Sequence, residues 1–183
     1  TLTLGAFPTL APFLFPRIVP ALNRKFPELQ LYLVEEKTSE LIKRLRDGTI
    51  DLALLALPVA ADDLAHAQVL EESFLVALAK DNPLSAKSSV PLDDLRRQNL
   101  LLLEDSHCLT GQALQVCTWA KGEQSLGFRA TSLETLRQMV ASNLGVTLVP
   151  EMAAGIELPS LVYRPLTAST PPRRSIGLFW RKS

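Results

Sequence analysis

Cys108 and Cys117 are the only thiols in a chain of 183 residues. Nine positions separate them, in a stretch from Glu104 to Cys117 that reads as helical over most of its length. On one straight helix nine residues advance about 13.5 Å and turn through roughly two and a half revolutions, which points the two thiols to opposite sides. A disulfide needs its Cα atoms within about 7 Å. Either the two cysteines never pair, or pairing requires the helix to come apart, which is how a thiol switch would be built. Asp105 and Ser106 form a plausible cap, so Cys108 falls in the first helical turn, where the dipole favours thiolate over thiol. The neighbouring His107 could add a positive charge or a hydrogen bond. A buried, inert cysteine accounts for Cys108 about as well. Cys117 lies near Val116 and Trp119 on a face that reads as core; packing is its resting role, and it need not be reactive to resolve an oxidised partner.

Other polar positions fall where open α/β sheets bind ligands, beyond the carboxyl ends of strands and at helix N-termini. Thr9 follows the first strand, Thr38 the second, and Thr131 and Ser132 precede a helix. Plain N-capping is the first explanation for each. Thr9 and Thr38 should share one sheet edge, which favours a common polar pocket. The two histidines, His66 and His107, and the two cysteines lack zinc-ligand spacing, so no metal is expected. No glycine-rich phosphate-binding motif is present. The acidic pairs Glu35-Glu36, Glu71-Glu72 and Asp93-Asp94 read as solvated surface. Arg173-Arg174 is ordinarily an exposed basic pair, here at the entry to the final strand.

The elements that position these residues alternate between β-like runs and amphipathic stretches, an α/β pattern. Strands are expected at Leu2–Ala6, Leu29–Glu35, Ile50–Leu57, Phe74–Ala79, Leu100–Leu103, Phe128–Ala130, Val146–Val149 and Ser175–Arg181. Helices are expected at Arg17–Phe26, after a short turn near Pro12, then from a Thr38 or Ser39 cap to Asp47, at Pro91–Arg97, and at Ser132–Ser142. Gly48 is placed to end the second. The segment 58–68 reads as looser. Two similar α/β units follow one another, with the last strand returning to the first. Nineteen basic residues balance nineteen acidic ones, which removes an electrostatic footprint for wrapping nucleic acid. No apolar run approaches the roughly 20 residues of a membrane span, and the start has no signal-peptide pattern, so a cytoplasmic location is expected. The opening in mid-strand, without Met, reads as a fragment of something longer.

Three stretches carry a resemblance: Leu103-Glu104-Asp105-Ser106-His107-Cys108-Leu109 with the second cysteine nine residues on, Phe128 to Arg137, and Thr9 to Pro16. With Phe26-Pro27-Glu28-Leu29 and Pro172 to Leu178, they make the chain resemble, over essentially its whole length, the regulatory domain of the peroxide-sensing branch of the LysR-type transcriptional regulators. The cysteine motif is the specific part. The resemblance implies an α/β fold of two Rossmann-like subdomains of the periplasmic-binding-protein type, joined by crossing strands near Glu71 and Arg174. Subdomain I would comprise 1–71 with 174–183, and subdomain II, with the redox cysteines, 72–173. It implies hydrogen peroxide held by Thr9 and Thr38, with His107 and Arg174 lowering the thiol pKa or orienting the leaving oxygen. Cys108 would be peroxidatic and Cys117 resolving, through reversible disulfide formation. Thr9 and Arg174 are expected to serve reactivity rather than folding.

The resemblance further implies a homodimer of this domain, a homotetramer when full length, and reduction by a glutaredoxin or thioredoxin system. No cofactor is implied. Promoter DNA would be met only through a winged-helix domain expected N-terminal to Thr1, and the family usually continues past Ser183 into a further helix. Two rivals stand beside the sensor. One is a LysR-type effector domain recognising a small organic acid through Thr131 and Ser132. The other is an enzyme, a thiol peroxidase or disulfide reductase, disfavoured by the absence of a Cys-x-x-Cys motif.

Overall fold

The computed structural model describes residues 1–103, 129–130 and 132–182. Cys108, Cys117, His107 and Thr131, with the expected cysteine-bearing helix, lie outside the described residues. The chain divides into two compact units, 1–71 with 174–183, and 72–173. Among the described residues no helix is long and apolar enough to cross a membrane, and no cluster of His, Cys, Asp or Glu could hold a metal ion.

The first unit is built on β1 (Leu2–Ala6), α1 (Ala11–Lys25), β2 (Leu31–Glu35), α2 (Thr38–Arg46) and β3 (Leu52–Leu57). β1 pairs in parallel with both β2 and β3, and β10 (Arg173–Arg181) pairs antiparallel to β3. The nearly continuous apolar run of β3 follows from its central place: Ala53 to Ala56 are all buried. Gly5 of β1 has no room for a side chain, because a Cβ would meet Leu41 Cδ2 at 2.5 Å. Leu41 of α2 therefore packs directly on the strand. Gly48 takes φ 73°, as a glycine just past a helix end should. Arg181 Nη1 donates to the Leu45 and Ile50 carbonyls at 2.8 and 2.7 Å, tying β10 to the end of α2 and the approach to β3.

α1 corrects the expected turn followed by a helix from Arg17, because one continuous helix begins at Ala11. Pro12, Pro16 and Pro20 recur every four residues and are all exposed. They form one stripe, so the carbonyls robbed of a partner by Pro16 and Pro20 face water, and the helix survives two internal prolines.

β4 (Leu64–Ala79) is far longer than the expected strand at Phe74–Ala79 and includes much of the segment read as loose. Its first half is mostly exposed and lacks the apolar signal on which the sequence reading depends. The strand crosses from the first unit into the second between Glu71 and Glu72. There it pairs antiparallel with β8 (Thr147–Pro150) and β9 (Leu161–Thr167). β9 has no clear sequence signature, because Pro165 interrupts it; β4 on one side and β5 (Val90–Pro91) on the other hold it in place. A short 3₁₀ turn, Pro83–Ala86, precedes β5, and α3 (Leu92–Leu95) is a single turn where a longer helix was expected.

β6 (Leu102–Leu103) and β7 (Arg129–Ala130) pair in parallel, Leu102 with Arg129 and Leu103 with Ala130. α4 (Leu133–Ala141) follows β7, and α5 (Glu151–Ala154) follows β8 directly. The core of this unit gathers Phe74, Val76 and Leu78 from β4 with Leu95, Leu100, Val146, Leu148 and Leu166. At the tight approach beside it, a Cβ on Gly145 would lie 2.4 Å from the Asn99 carbonyl oxygen. That oxygen already accepts from Val146 N at 2.9 Å, so backbone must shift to admit a methyl. Gly145→Ala should lower the stability of the chain by about 1–3 kcal/mol, read as a fall in midpoint in thermal or urea unfolding.

Candidate functional site

The described part of the site starts from the turn after β1. Phe7 O accepts from Leu10 N and Ala11 N at 2.9 and 3.0 Å, which folds Pro8, Thr9 and Leu10 into a tight link to α1. Thr9 is 1% exposed. It does not cap α1, whose N-cap is Leu10 with no side-chain cap bond; the capping explanation for Thr9 therefore fails. Arg174, the second residue of β10, is also 1% exposed. Its Nη1 donates to Thr9 Oγ1 at 2.9 Å and its Nη2 to the Thr9 carbonyl at 3.1 Å. The guanidinium carbon lies 5.3 Å from the Phe7 ring centroid, a cation–π contact that favours a cation away from water. The basic pair thus splits: Arg173 is exposed and Arg174 is buried.

Thr38 is the first residue of α2 rather than its cap, since Lys37 occupies the cap position without a side-chain bond. Ala6 and Glu35 are the last partners of the parallel β1–β2 pair, and each threonine comes three residues later. Both therefore follow the carboxyl ends of adjacent parallel strands, at one edge of the sheet. Ser132 is the cap of α4, with its Oγ accepting from Thr135 N at 3.4 Å. That bond turns its oxygen toward the helix's own backbone.

The acidic pairs divide by burial. Glu36 pairs with Arg44 at 2.6 Å, Asp93 with Arg96 at 3.1 Å and Asp94 with Lys87 at 2.5 Å, all partly or largely solvated. Glu72 is the correction: it is 6% exposed, and its Oε2 accepts from Met152 N at 2.9 Å. The period of two that turns Phe74, Val76 and Leu78 inward carries Glu72 to the same side. Arg137 is a second buried charge absent from the sequence reading. It falls between Leu133, Leu136 and Val140, the buried stripe of α4, and an arginine on an apolar face was the available signal.

Residues 1–183 match the LysR substrate binding domain family. The chain belongs to that family. It is 41% identical over 182 residues to the DNA-binding transcriptional dual regulator OxyR of Escherichia coli (strain K12), an overlap covering 98% of this chain and 59% of that protein. Among solved structures, a cysteine-to-serine mutant of Corynebacterium glutamicum OxyR with H₂O₂ bound aligns with a TM-score of 0.89 and 34% identity, over 100% of this chain and 58% of that one. The oxidized form of OxyR aligns with a TM-score of 0.84 and 40% identity, over 99% of this chain and 86% of that one. The chain spans about three fifths of the length of its curated relatives. These relatives support the two-subdomain, periplasmic-binding-protein-like α/β fold that the resemblance implies.

Proposed function

We propose that this chain is the peroxide-sensing regulatory part of a LysR-type transcription regulator, with Cys108 as the reacting thiol and Cys117 as its resolving partner. The observation that carries the reading is the buried Arg174–Thr9 pair beyond the carboxyl end of β1. Arg174 occupies a lone pair of Thr9 Oγ1, so the hydroxyl proton is directed away from the guanidinium and is free to donate to a peroxide oxygen. The permanent cation favours thiolate over thiol and the developing negative charge on the departing oxygen. Thr38 supplies a second hydroxyl from the same sheet edge, and His107 a donor beside Cys108. The H₂O₂-bound and oxidized relatives support the same chemistry.

The Cys108 thiolate attacks one peroxide oxygen, the O–O bond breaks, and the second oxygen leaves as hydroxide and takes a proton to become water. Cys108 is then a sulfenic acid. Cys117 attacks its sulfur, the S–O bond breaks, and the hydroxyl leaves as a second water. Two thiols and one peroxide thus become one disulfide and two waters. A dithiol reductant of the glutaredoxin or thioredoxin kind restores both thiols. In this reading the chain is a switch in the cytoplasm rather than an enzyme. It pairs with a second copy, becomes a tetramer in the full-length protein, and reaches promoter DNA through a domain outside 1–183.

Titration with hydrogen peroxide tests the proposal. Both thiols should disappear together at one peroxide per chain, and without reductant consumption should then stop. The family description, a substrate binding domain, leaves room for a second reading, which the sequence reading puts near Thr131 and Ser132 with a small organic acid as the ligand. Micromolar binding of such an acid, with both thiols untouched by low peroxide, would replace the sensor by that reading. Sustained turnover with a dithiol at enzyme-like rates would replace it by a peroxidase.

A further inference from the structure

Phe7 takes no part in the proposed chemistry, yet it holds both Thr9 and Arg174. Its carbonyl accepts from Leu10 N and Ala11 N at 2.9 and 3.0 Å, which closes the turn that carries Thr9. Its ring lies under the Arg174 guanidinium, whose carbon is 5.3 Å from the ring centroid. All three residues belong to the first unit, and each is 1% exposed. Arg174 is therefore gripped by two residues of one turn: by the hydroxyl and carbonyl of Thr9 at 2.9 and 3.1 Å, and by the ring two positions earlier.

The two contacts differ in kind. The hydrogen bonds to Thr9 use Nη1 and Nη2 and set where the guanidinium sits, but on their own they let it tilt about the line through the two oxygens. A ring against the guanidinium resists that tilt without taking an N–H and without bringing a counter-charge. The attraction is electrostatic, because the negative face of the ring meets the cation, and it strengthens where water is excluded. A leucine fills similar space but has no such face. We infer that Phe7 is a positioning residue for the peroxide reaction: its ring fixes the tilt of Arg174, and so the direction in which the guanidinium and the Thr9 hydroxyl act. The inference rests on the sensor reading above. A cation favours a thiolate and a departing hydroxide most when it is already in place before the bond breaks.

Replacement of Phe7 by mono-, di- and trifluorinated phenylalanine tests the inference, because fluorine draws density from the ring face and changes its shape little. The second-order rate with peroxide should fall with each fluorine, to at least about threefold below wild type in the trifluorinated chain, and about tenfold in Phe7→Leu. The midpoint of the pH profile should rise in step, by about half a unit where a threefold loss of thiolate accounts for the slower rate. A ring that only fills space gives another result, since fluorination keeps its volume and apolar character. Phe7→Leu would then lower the melting midpoint while the fluorinated chains kept the wild-type rate and pH profile, and that outcome overturns the inference. The nitrogen NMR signals of the Arg174 guanidinium report independently of the thiols: rotation about the Nε–Cζ bond should be slow in the wild-type chain and quicken along the fluorinated series. A wild-type chain that low peroxide leaves unoxidised removes the sensor reading, and with it the role of Phe7 in peroxide chemistry, even if Arg174 loosens on fluorination. A wild-type chain that is oxidised normally, with rotation and rate both unchanged along the series, overturns the positioning role alone.

Discussion

Cys117→Ser should stop the reaction halfway, leaving a sulfenic acid on Cys108 that persists until an external thiol arrives, while Cys108→Ser should abolish rapid oxidation altogether. The asymmetry follows from position. Cys108 lies directly after His107 and at the start of a helical pattern in the sequence, where a thiolate is favoured, whereas Cys117 falls with Val116 and Trp119 on a face that reads as core, where the neutral thiol is favoured. The expected loss in Cys108→Ser is at least about hundredfold in the second-order rate with peroxide, or roughly 2.7 kcal/mol of barrier. Stopped-flow peroxide consumption, with dimedone labelling of the sulfenic acid, reads both variants. Fast oxidation of Cys117 in the Cys108→Ser chain would reverse the two roles.

Thr9→Val and Arg174→Lys should each slow oxidation by at least about tenfold, about 1.4 kcal/mol of barrier. Thr9→Val keeps the shape but removes the hydroxyl, and leaves Arg174 Nη1 without its acceptor at 2.9 Å. Arg174→Lys keeps the charge, but an ammonium cannot reproduce the fork that spans the hydroxyl and the carbonyl of one residue. The structure changes what these variants should do to folding. Both residues are 1% exposed, so neither substitution should be silent in a melt, contrary to the expectation that they serve reactivity alone. A stability loss of about 1–3 kcal/mol is expected for each. Thr9→Ser separates the effects, because it retains the hydroxyl and should keep most of the rate. Wild-type oxidation rates in both Thr9→Val and Arg174→Lys would remove the pair from the reaction.

The parts of the fold visible in the sequence were those with a one-dimensional signal. β1 and β3, the end of α2 at Gly48 and the Ser132 cap each declare themselves in a few adjacent residues. What escaped depended on partners distant in the chain. β9 is a strand despite Pro165 because β4 and β5 flank it, and the first half of β4 is a strand although most of it faces solvent. The site divided in the same way. Thr9 and Thr38 could be placed at one edge from strand order alone. The contact between Thr9 and Arg174, 165 residues apart, could not be read from spacing, and the resemblance to a family suggested only that both matter. Glu72 was misread because an acidic pair looks solvated in isolation. Its alternation with Phe74 and Val76 held the contrary signal. Arg137 likewise shows its burial only when the apolar stripe around it is counted.

Peptide mapping by mass spectrometry after one equivalent of hydrogen peroxide tests the central claim most directly. The account predicts one product, a Cys108 peptide joined to a Cys117 peptide within a single chain, two hydrogens lighter than the reduced pair and restored by a dithiol. Both thiols recovered unmodified, or Cys108 joined to Cys108 of a second chain with Cys117 still free, would contradict it.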